Sequence, residues 1–357
     1  MTNTTEWITR SVSRLRSGAP STDKAPKASK PAADKPLADK QVADGAATKV
    51  PAPRSTHERL QATLRRGNES LSPRALRRLL ADLQDVVAPQ VSELEGGRRA
   101  QVVAGWYGQA EPEERRDMWL LLCEQFAPDA TRFQSARQRY EAAAGTADEG
   151  QAEISLRRAL VSPRTRLMQR FAVFPEGMRF LVDLRAELLP QLKSDKRLVA
   201  LDADLEHLFT TWFDVAFLEL RRLSWDSPAS LIEKLIKYEA VHDIRSWADL
   251  KNRLDSDRRC YGFFHPRLPN EPLIFVEVAL VDRISSSITP LLDEAAAPAD
   301  LKKATTAIFY SISNTQPGLR GVSFGDSLIK HVVETLTAEF PRLRTFATLS
   351  PIPGFRG

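Results

Sequence analysis

The stretch that most constrains the fold is 309–355, FYSISNTQPGLRGVSFGDSLIKHVVETLTAEFPRLRTFATLSPIPGF. The β-formers Phe309, Tyr310 and Ile312 are halted by Gln316-Pro317-Gly318. A loop of Arg320, Gly321, Val322, Ser323, Phe324, Gly325 and Asp326 follows. From Ser327, apolar Leu328, Ile329, Val332, Val333, Leu336 and Phe340 recur at helical spacing, which predicts an amphipathic helix that Pro341 ends. A short strand over 345–349 and the proline-rich turn 350–354 complete the unit.

A glycine loop that opens a helix suits an anion, because its N–H groups have no intrahelical partner and the helix dipole adds positive charge there. A diphosphate would fit such a place. Read from the glycines alone, the loop is first a tight turn that lets a helix pack on a sheet. The choice between the two has to come from the rest of the chain.

The chain has 357 residues, enough for two domains with sizeable cores. Its formal charge of +5, with 46 acidic residues against 51 basic, tolerates an anionic ligand but argues against nucleic acid as a partner. No apolar run approaches the ~20 residues of a membrane span, so no membrane partner is expected. Cys123 and Cys260 stand far apart with no histidine beside them at ligand spacing, which suggests a reducing, cytoplasmic compartment and no metal site.

Residues 1–55 are built from Ala, Lys, Pro, Asp and Ser and predict a disordered leader. Residues 56–223 predict an all-helical domain. Leu76, Leu79, Leu80 and Leu83 share one helical face after Pro73, and Met118, Leu120, Leu121, Leu122 and Phe126 bury another. Further helices are expected at 130–146, 149–160, 162–172, 175–192 and 200–223. The segment from Arg179 to Arg185 reads as an ordinary packed helix with a solvated edge.

After Leu223 the pattern changes. Ser227-Pro228 opens one helix and Ser246 caps another. Strand-like runs follow at 259–264, 273–281 and 305–312, the first two joined by a hairpin-like turn. With the opening stretch the order becomes β-β-β-loop-α-β. The fold class is α+β, a helical domain followed by a sheet domain over 224–357 whose helix covers one face.

Several ordered strings in this second half resemble the malonyl-CoA decarboxylase family. They are Trp225-Asp226-Ser227-Pro228, Glu239-Ala240-Val241-His242, Arg258-Arg259-Cys260-Tyr261 and 307–313. The strongest are Gly318-Leu319-Arg320-Gly321-Val322 and Leu349-Ser350-Pro351-Ile352-Pro353-Gly354-Phe355. The resemblance spans about 177–355. It implies a catalytic domain similar to the GCN5-related acetyltransferase fold and the conversion of malonyl-CoA to acetyl-CoA and carbon dioxide. It further implies a homo-oligomer and no metal, biotin or other prosthetic cofactor.

By that resemblance the loop Arg320, Gly321, Val322, Ser323, Phe324, Gly325 and Asp326 binds the CoA diphosphate, and Ser350 is the catalytic serine. Read alone, Ser350 is a turn residue before Pro351. Loss of carbon dioxide leaves a thioester enolate that needs oxyanion donors and then a proton. A serine at the end of a strand can hold the leaving carboxylate or orient the thioester, whereas acyl-enzyme chemistry lacks its usual elbow and base.

The resemblance also implies that relatives carry, beyond the serine turn, a proton-donating histidine and further strands. The sequence in hand ends at Gly357, and none of His57, His207, His242, His265 and His331 matches that histidine. The expectation is therefore a decarboxylase with an incomplete C-terminal part and an open sheet edge. The alternatives are a CoA-binding or oligomerising protein without catalysis, and an acyltransferase of the same fold. Ser323 stands where some relatives carry an acidic residue.

Overall fold

The computed structural model describes residues 70–322, 324 and 327–350. The expected leader, the loop residues Ser323, Gly325 and Asp326, and the turn after Ser350 lie outside the described residues.

The helical part runs through α1 (Pro73–Val86), α2 (Glu93–Gln109), α3 (Pro112–Gln125), α4 (Ala130–Ala143), α5 (Glu149–Leu160), α6 (Pro163–Phe171), α7 (Gly177–Leu188) and α8 (Val199–Trp212). Local chemistry starts these helices where the sequence places them. Ser72 accepts from the Ala75 N–H at 3.3 Å with Pro73 in the first turn, and Ser162 accepts from the Arg164 N–H at 3.1 Å ahead of α6. The apolar face Leu76, Leu79, Leu80 and Leu83 is buried as its spacing requires.

Two departures are instructive. Helix α2 has no clear apolar period, because four glycines and two arginines interrupt it, yet Gly96, Gly97, Ala100, Val103 and Tyr107 bury one side. The helix expected over 200–223 stops at Trp212, and Glu219–Leu223 is instead strand β1. Its sequence, ELRRL, is mostly exposed and charged, as befits an edge strand, and so carries no alternation to read.

The sheet comprises β1, β2 (Arg258–Phe264), β3 (Pro272–Val281), β4 (Thr306–Asn314) and β5 (Thr345–Thr348), in the order β1-β2-β3-β4-β5. The first three junctions are antiparallel and the β4–β5 junction is parallel. Two helices, α9 (Ala229–Tyr238) and α10 (Trp247–Arg253), lie between β1 and β2 in sequence. Parallel neighbours need a crossover, and α11 (Ser327–Glu339) supplies it between β4 and β5. Among the described residues β5 pairs with β4 alone.

The two faces of the sheet have different surroundings. Val276 and Val278 of β3 and Ala307 and Phe309 of β4 share one continuous core with Val332 and Leu336 of α11. Leu181 and Val182 of α7 and Phe209 of α8 join the same core. On the other face, Cys260 and Phe275 meet Ile232 and Leu235 of α9 and Leu250 of α10. A buried ionic group sits on this second face. Arg253 donates to Glu277 Oε2 at 2.9 Å and to Asp249 Oδ1 at 2.8 Å, with Arg253 and Glu277 almost fully buried. Among the described residues no helix is long and apolar enough to cross a membrane.

Candidate active site

Strand β4 organises the site. It pairs with β5 in parallel from Thr306 opposite Thr345 to Phe309 opposite Thr348, and the Leu349 N–H then donates to the Phe309 carbonyl at 2.9 Å. From Tyr310 to Asn314, β4 continues beyond its pairing with β5. The glycine loop leaves the C-terminal end of β4 and Ser350 leaves the C-terminal end of β5. Because the strands are parallel and adjacent, both features emerge at the same end of the sheet. The five residues of β4 that extend past β5, paired with β3 from Ser311 onward, span roughly 16 Å at ordinary strand rise.

The loop is fixed from behind by α7. Arg185, almost fully buried, donates from Nη1 to the Gly318 and Arg320 carbonyls, both at 2.9 Å. It is itself held by Asp202 at 2.8 Å and Glu206 at 3.1 Å. Arg179 donates to Gln316 Oε1 at 2.7 Å, and Gln316 Nε2 donates to the Pro272 carbonyl at 2.9 Å, which ties the loop's start to β3. At Gly318 any side chain would collide with the backbone, since a Cβ there would lie 1.9 Å from the Val182 carbonyl oxygen. Gly321 adopts φ +85°, a left-handed conformation that favours glycine. The sequence reading of the Arg179 to Arg185 segment as a plain packed helix therefore missed a support of the site. The only available signal was an arginine on the buried side of an amphipathic helix.

Of the loop residues named from sequence, Arg320 and Gly321 are exposed, Val322 is buried, and Phe324 packs half-buried against the main core. Ser350 is exposed, while its neighbour Leu349 packs against the cluster of Ala279, Leu291, Ile308 and Tyr310. The structure thus brings the described part of the loop and Ser350 to one end of the sheet.

Two further groups line β4 where β5 has left it. Ser311 Oγ donates to the Glu239 carboxylate at 2.7 Å, and Ser313 Oγ donates to Glu239 Oε2 at 3.0 Å. The same carboxylate accepts from the Val241 and His242 N–H groups at 3.0 and 2.8 Å. Burial pushes the His242 imidazole below its ordinary pKa, partly offset by Glu239. In the sequence these residues were visible as strings, not as a polar cluster.

The family model described as the malonyl-CoA decarboxylase N-terminal domain matches residues 126–213, and that of the C-terminal domain matches residues 216–357. The crystal structure of malonyl-CoA decarboxylase from Rhodopseudomonas palustris is 43% identical, with a TM-score of 0.69 over 78% of this chain and 67% of that one. The chain belongs to the malonyl-CoA decarboxylase family. The family's structure from Agrobacterium vitis is 40% identical at a TM-score of 0.71, again over 78% of this chain and 67% of the other. Mitochondrial malonyl-CoA decarboxylases of Anser anser anser and Mus musculus are 43% and 38% identical. They align with 56% and 72% of this chain, and with 41% and 55% of their own lengths. The chain thus spans about half the length of the curated relatives it matches.

Family membership gives the histidines a sharper frame. His331, on α11 just after the loop, turns its ring edge-on to Phe263 of β2 at 6.1 Å and so faces the sheet rather than the loop. His265 meets Phe213 edge-on at 5.1 Å, and its Nδ1 accepts from the Arg267 N–H at 3.1 Å. His242 is the histidine that packs beside the polar cluster of β4.

Proposed function

We propose that this protein binds malonyl-CoA and converts it to acetyl-CoA and carbon dioxide. The observation that carries the reading is the placement of the anion loop and Ser350 at the C-terminal ends of two adjacent parallel strands, in a chain of this family. The loop Arg320 to Asp326 would receive the diphosphate through its N–H groups and the N-terminus of α11. The pantetheine arm would then run along β4 past Tyr310, where backbone donors and acceptors lie beyond the reach of β5. This arrangement supports a GCN5-related acetyltransferase-like catalytic domain, with the helices α1 to α8 as its support and the sheet that begins at β1 as its binding half.

The reaction breaks the bond between the α-carbon and the carboxylate. The electron pair passes into the thioester, making an enolate, and carbon dioxide leaves. The thioester is its own electron sink, so the chemistry calls for no prosthetic group. Ser350 would hold the departing carboxylate or orient the thioester, and donors along β4 would stabilise the enolate oxygen. A proton then returns to the α-carbon to give acetyl-CoA. Homo-oligomerisation belongs to the same reading by family resemblance. A reducing compartment such as the cytoplasm suits the two free cysteines.

Titration calorimetry with CoA, paired with an assay of carbon dioxide released from malonyl-CoA, tests the proposal. The expected result is binding together with turnover that Ser350→Ala removes. Binding without turnover would replace the reading with a CoA-binding role, and transfer of an acetyl group to an amine would replace it with an acyltransferase.

A further inference from the structure

The loop's carbonyls, rather than its glycines, carry the next step. Arg185 is the place where α7 takes hold of the loop, and its two bonds at 2.9 Å go to the peptide units on either side of the Leu319–Arg320 peptide. In a trans peptide the carbonyl of one residue and the N–H of the next point in opposite directions. Drawing the Arg320 carbonyl toward Arg185 therefore turns the Gly321 N–H away from the helices, on a residue that is itself exposed. The guanidinium also donates to Glu206 Oε2 at 3.1 Å, and that oxygen is 3.7 Å from where a Cβ of Gly321 would stand. Without its partner, that carboxylate would present negative charge to any anion in the loop.

We propose that Arg185 is a positioning residue for the diphosphate site: it aims the Gly321 N–H at the ligand and neutralises Glu206 behind it. The inference rests on the CoA reading of the loop given above. Arg185 touches no ligand. It works by holding two carbonyls that the planar fork of a guanidinium can bond together and that a lysine ammonium holds less well.

The deciding experiment measures the affinity of the full chain and its variants for CoA and for pantetheine, which has the same arm without the diphosphate. Arg185→Gln should weaken CoA about tenfold or more, the usual scale for losing charge-assisted hydrogen bonds. It should leave pantetheine binding unchanged. Arg185→Lys, which keeps the charge, should fall between the two and decides the matter if the glutamine variant does not fold. The double variant Arg185→Gln with Glu206→Gln has the same net charge as the wild type and removes the unpaired carboxylate, so it should recover only part of the CoA affinity, because the Gly321 N–H is still not aimed. Recovery of full wild-type affinity in the double variant would overturn the aiming of the Gly321 N–H and leave Arg185 only the neutralisation of Glu206. An equal loss for CoA and pantetheine would reduce Arg185 to a fold-maintaining residue. Wild-type affinity for CoA in Arg185→Gln would overturn the inference alone, whereas a wild type that binds no CoA would overturn the reading of the loop and the inference with it.

Discussion

Two buried arginines serve opposite sides of the same sheet with nearly the same set of partners. Arg185 bonds two carboxylates and the carbonyls of Gly318 and Arg320, while Arg253 bonds two carboxylates and the carbonyls of His242 and Asp243. Each fastens a connecting segment beside β4. The difference lies in their acids. The side chains of Asp202 and Glu206 around Arg185 keep 15% and 46% of their exposure, whereas those of Asp249 and Glu277 around Arg253 keep 8% and none. Water can compensate the first group when it is broken and cannot reach the second. The Arg253 group should therefore govern stability, and the Arg185 group should govern ligand geometry.

The largest expected effect follows directly. Arg253→Met leaves the Glu277 carboxylate buried without its cation and should cost about 3–5 kcal/mol of unfolding free energy. Arg185→Met, with solvent close to its acids, should cost clearly less. Urea denaturation of the pair checks this, and equal losses would break the contrast.

A pH series sharpens the same contrast. Burial pushes the Glu277 carboxyl up to about 7 from an ordinary 4.5, against the pull of Arg253. Between those values the folded protein holds a proton that the unfolded chain has released. Its contribution to stability is complete below about pH 4.5 and is lost as pH rises through about 7, a change on the order of a few kcal/mol. The stability of the wild type relative to Glu277→Gln should therefore fall steadily as pH rises across that window. A difference independent of pH would mean that Glu277 is ionised throughout.

Next in size is Gly318→Ala. The added methyl would need the space of the Val182 carbonyl oxygen, so loop and α7 must part. Overpacking of this kind costs about 1–3 kcal/mol. CoA affinity should fall with it, since the Arg185 bonds depend on the same close approach. Loss of stability with intact affinity would separate the loop's packing from its function.

These contrasts also show which parts of the molecule were legible in the sequence. Strands β2 to β4 and helix α11 lay in plain view because burial on one or both faces leaves apolar runs and periods. Strand β1 did not, because an exposed edge of arginine and glutamate has no period. Helix α2 did not, because its glycines give up the apolar bulk that marks a buried face. For the site, the glycine loop and Ser350 were visible as local strings, since their chemistry is contiguous. Arg185 with Gly318, and Glu239 with Ser311 and Ser313, were not visible. Their partners are separated by more than 70 residues, and a lone arginine or glutamate carries no sign of what will be folded against it.

The smallest effect on stability should come from the residue with the largest expected effect on chemistry. Ser350 is exposed beyond the end of β5, where anchoring falls to Leu349 beside it. Removing one exposed hydroxyl should change the unfolding free energy by no more than about 0.5 kcal/mol. If Ser350 orients the thioester or the leaving carboxylate, Ser350→Ala should nevertheless abolish carbon dioxide release while CoA binds as before. On the reading proposed above, the diphosphate would bind at the loop, beyond the residues of β4 that extend past β5. A variant that lost CoA affinity and turnover together would place Ser350 in the binding half of the site. A variant that lost stability would make it one more clamp, like the two arginines, rather than a group spared for the reaction.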